Sequence, residues 1–233
     1  MTFSHTFGRV FSPTFQPESQ TSAKTSWTTW YTLDDSITTC LAAYQPKGAA
    51  SYAASLVNLV SSGTHDAIDG TTPDWDATSG WKFSGSGAQY IKTDFKLADG
   101  YTIIFRFSDK TGTTGTLGGS YNYSGSNGGM LIFPKTSDDK VYYYSPTEFS
   151  VSPGLTSSVL ALAGNNAYRN GVYDGAGSGS LPTQSWNMWI GGNTQNGTSV
   201  ENQITAYIQA CAVYTTTLTA TQISNLTTAM NAL

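Results

Sequence analysis

Cleaving a glycosidic bond takes two carboxylates, which in a retaining enzyme stand about 5–5.5 Å apart. The chain holds three glutamates, Glu18, Glu148 and Glu201, and no two are near in sequence. The closest carboxylate pairs are Asp34-Asp35, Asp74/Asp76 and Asp138-Asp139. Adjacent residues on a strand point to opposite faces, so the two contiguous pairs make poor dyads if extended. Asp74 and Asp76 could share a face, but Pro73 and Gly80 assign them to a loop. His5 and His65 are the only histidines, and no G-x-S-x-G elbow surrounds any serine, which argues against a Ser/His/Asp hydrolase. The expectation is a protein that is not an enzyme.

Sugar binding needs less: an aromatic platform, with amides and carboxylates to meet hydroxyls. Residues 120–128 offer Tyr121, Asn122, Tyr123 and Asn127; residues 191–203 offer Asn193, Gln195, Asn196 and Glu201. Trp186 and Trp189 lie between the second loop and a hairpin. The same amides could serve only to build turns, and the tyrosines to cover strand ends.

The elements that must position these residues read as strands. Residues 159–163 are a short apolar run; residues 167–169 and 172–173 flank Asn170-Gly171, the pair that supplies two positive φ angles to a type I′ hairpin. Residues 186–190 read as a further strand. In residues 101–108, Tyr101, Ile103, Phe105 and Phe107 share one face, and Thr102, Ile104, Arg106 and Ser108 the other. Strands are also expected at 40–46, 89–93, 116–121, 129–134, 141–144 and 204–214, the last central because both its faces are apolar. Residues 49–59 fit a short helix and 61–80 a loop. At the end, Thr219 and Gln222 form a capping box, followed by an apolar stripe at Ile223, Leu226, Met230 and Leu233.

Only 11% of the 233 residues are charged, and the net charge is −4. Lys and Arg form no run, so nucleic acid is not expected as a partner. No apolar stretch approaches the ~18 residues of a membrane span, and residues 1–30 do not read as a signal peptide. Cys40 and Cys211 could be neighbours in a sandwich; a disulfide and two buried thiols both remain open. Phe3, Phe7, Phe11 and Phe15 recur every four residues in a stretch where Pro13 and Pro17 oppose a helix. Residues 1–30 therefore read as an extended aromatic arm, and 31–233 as one all-β sandwich.

Four stretches carry a family resemblance. Residues 168–172 (YRNGV) with Ile190-Gly191-Gly192, residues 81–91, residues 101–107, and residues 204–218 with 220–226 together resemble laminin-G-like domains of the concanavalin A-like lectin/glucanase superfamily. The resemblance covers roughly residues 40–233 and implies a jelly-roll β-sandwich. The glucanases of that superfamily carry E-x-D-x-x-E on one strand, which is absent here. Laminin-G-like domains often hold one calcium ion at a loop edge; Asp138, Asp139 and Asp174 are the candidate ligands, with a solvated acidic turn as the alternative. Residues 44–80 resemble a stretch found in structural proteins of phages and environmental viruses. The implied role is a structural or adhesive component of a virus particle, or of an extracellular surface, which forms a homo-oligomer, joins other virion subunits through the arm and binds a host-surface glycan weakly. A soluble or cell-surface lectin module is the alternative.

Overall fold

The computed structural model describes residues 28–122 and 128–233. Phe3, Phe7, Phe11, Phe15, Tyr123 and Asn127 lie outside the described residues. The first part of the chain forms β1 (Cys40–Tyr44), α1 (Tyr52–Ser55), β2 (Ile68–Thr71), β3 (Asp74–Asp76), β4 (Gly80–Ser84), β5 (Tyr90–Lys92) and β6 (Thr102–Thr111). The middle forms β7 (Gly118–Asn122), β8 (Gly128–Phe133), β9 (Val141–Tyr144), β10 (Glu148–Val151), β11 (Ser158–Ala163), β12 (Asn166–Arg169) and β13 (Val172–Ala176). The last part forms β14 (Trp189–Ile190), β15 (Asn193–Thr194), β16 (Val200–Glu201), β17 (Thr205–Tyr214) and α2 (Ala220–Asn231).

Two antiparallel sheets stack. One runs β13-β12-β11-β6-β17-β4-β3, with β1 also paired to β17; the other runs β10-β9-β8-β7-β14-β5-β2. Alternation along β6 explains the layers. Ile103, Phe105 and Phe107 point inward and meet Ile91, Met130, Ile132, Tyr143 and Ile190 of the second sheet. Ile104 points outward into a separate core with Ile223, Leu226 and Met230 of α2 and with Trp30, Leu33 and Ile37. Trp30, assigned to the arm by the sequence reading, is thus part of the domain, and its indole N–H donates to Gln45 Oε1 at 3.0 Å. The first sheet is buried on both faces, which is why β17 is apolar on both sides. The chain is an all-β, jelly-roll-like sandwich with a short C-terminal helix.

The local signals hold. Asn170 and Gly171 have φ of 49° and 80°. A Cβ at Gly171 would also meet Ser224 Cα at 3.0 Å, so the turn must be tight against α2. Thr219 and Gln222 close a capping box on α2. Arg106 donates to Met230 O at 2.7 Å, meeting a C-terminal carbonyl of that helix.

Three expectations are corrected. The helix at 49–59 is a single turn, because buried Asn58 draws the chain out of it. Asn58 Oδ1 accepts from the N–H of Ala43 and Val60, and Nδ2 donates to Leu41 O and Thr64 O. Within 61–80, β2 and β3 pair with β5 and β4; these short edge strands owe their form to their neighbours, not to an apolar pattern. Residues 186–190 are strand only at Trp189–Ile190, because Trp186 belongs to a loop held by side chains. Cys40 and Cys211 are free thiols. Cys40 stands opposite Tyr214 and Cys211 opposite Tyr44, out of register for a bridge.

Candidate functional site

The loop that ends at β14 is pinned from below by polar side chains of β7. Asn122 Nδ2 donates to Thr183 O at 2.7 Å, and Asn122 Oδ1 accepts from Ser185 N–H at 3.0 Å. Buried Ser120 pairs with Gln184 Oε1 at 3.1 Å, while Gln184 Nε2 donates to Pro182 O at 2.8 Å. Past the loop, Met188 N–H donates to Phe95 O at 2.9 Å, and its carbonyl accepts from Thr93 Oγ1 at 2.8 Å. Trp186 and Asn187 are left projecting between two anchored points. Buried polar groups that are all satisfied hold one geometry.

Trp186 remains 36% exposed. Gly197 backs its ring: a Cβ there would lie 2.3 Å from the indole, and the residue has φ of 77°. The turn that brings Gly197 there is built by Asn196, whose Oδ1 accepts from Thr198 N–H at 2.9 Å and Ser199 N–H at 3.0 Å. A cleft of about 270 Å³ opens beside Trp186, lined by Lys92, Thr93, Ser185, Trp186, Asn187, Trp189 and Gly197. Trp189 is almost wholly buried and stacks on Tyr90 at 4.2 Å between ring centres. Lys92 Nζ lies 5.5 Å from the Tyr90 ring centre and 5.8 Å from that of Trp189.

The strand register puts Lys92, Trp189, Gly119, Leu131, Tyr144 and Glu148 in one row across the outer face of the second sheet. Further along this face a second depression is lined by Tyr121, Leu131, Phe133, Tyr144, Gln195 and Asn202. Tyr121 and Tyr144 meet edge to face at 6.0 Å, and the Tyr144 hydroxyl donates to Glu148. Burial and that carboxylate both push the Tyr144 phenol upward.

The predicted sugar residues therefore separate. Trp186 lines the cleft and Tyr121 the second depression. Asn122 is buried as an anchor of the loop, which corrects its reading as a ligand. Asn193 is fully buried, its Oδ1 accepting from Asn202 Nδ2 at 2.9 Å, and Asn196 uses its carbonyl on its own turn; neither presents a free amide oxygen to a ligand. Lys92, Ser185 and Asn187 escaped sequence reasoning. The signal for Lys92 lies only in the pairing of β5 with β14, which no local pattern reveals.

The calcium candidates do not converge. Asp138 pairs with Lys140 at 3.0 Å, Asp139 with Lys135 at 3.4 Å and Asp174 with Arg169 at 3.0 Å. A hydrogen bond from Thr136, then Lys140, pulls the Asp138 carboxyl down to about 2. Asp174 also accepts from the Tyr143 hydroxyl at 2.9 Å. Among the described residues no group of three or more His, Cys, Asp or Glu is placed to hold a metal. Asp74 and Asp76 sit on β3 rather than in a loop, and Asp76 Oδ1 is engaged by the N–H groups of Thr78 and Ser79 at 2.9 and 2.7 Å. Asp34 Oδ1 likewise accepts from Thr28 and Thr29 N–H. Among the described residues no helix is long and apolar enough to cross a membrane.

No protein-family model matches the chain, and no curated protein matches it. Solved structures do. Domain 4 of AbnA, a GH43 extracellular arabinanase from Geobacillus stearothermophilus, in complex with arabinotriose, is 16% identical with a TM-score of 0.51, over 81% of this chain and 98% of that one. Trypanosoma rangeli sialidase in complex with sialic acid is 13% identical with a TM-score of 0.54, over 81% of this chain and 32% of that one. The binding domain of botulinum neurotoxin serotype D is 11% identical with a TM-score of 0.54, over 81% and 50%. The chain thus spans about a third of the sialidase and half of the toxin domain. At these identities the likeness is one of fold, and the fold it carries is the all-β, jelly-roll-like sandwich described above.

Proposed function

We propose that the domain binds carbohydrate, without transforming it, at the cleft beside Trp186. The observation that carries this reading is the indole itself: exposed on one side, backed by Gly197 on the other, and held by a loop whose buried polar groups are paired. An aromatic face of this kind stacks on the apolar face of a sugar ring, and the surrounding amide and hydroxyl groups meet its hydroxyls. The arabinotriose complex of a similar domain supports it. Trp186→Ala should weaken binding of a glycan found on an array by roughly 10- to 100-fold, since burying one aromatic side chain is worth about 1.5–3 kcal/mol. The melting temperature should stay near that of the parent. A glycan held equally well by Trp186→Ala would remove the cleft from the proposal.

The finer role belongs to the same proposal: a laminin-G-like domain displayed on a virus particle, with the arm joining it to other subunits. It rests on Phe3, Phe7, Phe11 and Phe15 and on the resemblance in residues 44–80. Deleting residues 3–15 should turn a multimer into a folded monomer, measured by native mass. A deletion variant that assembles as the full chain does would leave the particle role without a physical basis.

A further inference from the structure

The cleft beside Trp186 lacks a carboxylate, and the one charged group among its lining residues is the Lys92 ammonium. Trp186 Nε1–H can only donate, and the Lys92 ammonium offers three N–H groups and no acceptor. Among the described residues neither has a hydrogen-bond partner, and Lys92 forms no ion pair. The Ser185 hydroxyl and the Asn187 amide are equally unengaged there. The acid nearest Lys92 in sequence, Asp94, is bound to His65 Nδ1 at 2.7 Å. The faces of Tyr90 and Trp189 hold the ammonium in place at 5.5 and 5.8 Å, and an aromatic face attracts a cation without neutralising it. The second depression is different, with Gln195 and Asn202 lining it and Glu148 lining the hollow next to it.

A neutral sugar offers hydroxyls that both donate and accept, and it is served best by a site of mixed character. An oxyanion only accepts. We infer that the cleft takes an acidic saccharide, a pyranose bearing a carboxylate or a sulfate, with its ring on Trp186 and its charged group on Lys92. This rests on the carbohydrate reading of the same cleft. Lys92 sets the preference: the row that runs across the sheet places its ammonium beside Trp189, one strand from the loop that carries the platform.

The test is calorimetric titration of the full chain with lactose, sialyllactose and sulfated lactose. The charged probes should bind about tenfold or more tightly than lactose, the usual gain from a charge-assisted hydrogen bond. Lys92→Met should abolish the preference, so that this variant binds the charged probes and lactose equally. Lys92→Arg should retain the preference, and Trp186→Ala should weaken all three. Melting curves establish that each variant is folded. Binding of one charged probe alone still supports the inference and names the group. Equal affinity for lactose and both charged probes, or an unchanged preference in folded Lys92→Met, overturns it while leaving carbohydrate binding intact. Neutral array glycans bound through Trp186 with no binding of either charged probe also overturn it. A blank array together with no binding of any probe removes the carbohydrate reading itself.

Discussion

Raising the pH from about 9 to 11 should destabilise the domain by about 4 kcal/mol or more, with tyrosine ionisation accompanying any loss of structure. Tyr44, Tyr143 and Tyr214 are buried, and their hydroxyls donate to His65 O, Asp174 and Tyr31 O. Burial pushes all three phenols up from 10.0, and Asp174 adds to the rise at Tyr143. Burial also pushes the Cys40 thiol up to about 12. These groups keep their protons in the fold and release them in the unfolded chain. Their contribution is therefore complete below the unfolded value, near 10 for the tyrosines and near 9 for the cysteine, and is lost as pH rises above it. Each group costs about 1.4 kcal/mol per pH unit in that window, so three tyrosines remove about 4 kcal/mol per unit, against a total stability of roughly 5–15 kcal/mol. Lys110 acts in the opposite sense. Burial lowers its ammonium to about 8, so between about pH 8 and 10 the unfolded chain holds the extra proton and stability rises slightly. One lysine does not offset three tyrosines. Urea midpoints measured across this range, beside the absorbance of tyrosinate, provide the check. Phenols that all titrate near 10 while the fold persists would contradict the burial described here.

Trp81→Ala should cost about 3–5 kcal/mol, the range for truncating a large buried aromatic. Trp81 is fully buried in the layer between the sheets. Its indole N–H donates to Ser55 Oγ at 2.7 Å, and its ring centre lies 6.2 Å from that of Tyr44. The alanine variant leaves a cavity at the junction of β4, β17 and α1. Trp81→Phe leaves a smaller cavity and loses the same hydrogen bond, so its cost should lie between the about 1 kcal/mol of that bond and the alanine value. Urea denaturation of both variants gives the two numbers. A loss below about 1 kcal/mol for alanine would mean that this junction collapses to fill the space.

Some of this protein is determined by residues close to one another in the chain. Asn170-Gly171 makes its turn because two successive residues accept positive φ. Thr219 and Gln222 start α2 because they bond to each other's backbone. The alternation at 102–108 assigns Ile103, Phe105 and Phe107 to the inner layer and Ile104 to the outer one before any partner is known. Trp186 could be named as a platform because an indole between polar turn residues is conspicuous in sequence.

The neighbours of Trp186 were decided by the tertiary structure. Asn122, Asn193 and Asn196 look like ligand groups in sequence, and an amide that anchors a loop is chemically the same as one that meets a sugar. Only burial and bonding distinguish them. Lys92 reaches the cleft through strand pairing across nearly a hundred residues. That register is set by which faces of β5 and β14 bury Ile91 and Ile190 against the inner layer, since a slip by one residue would turn both strands inside out. A hydrophobic core shared by the two sheets, and not any motif along the chain, puts a lysine beside a tryptophan.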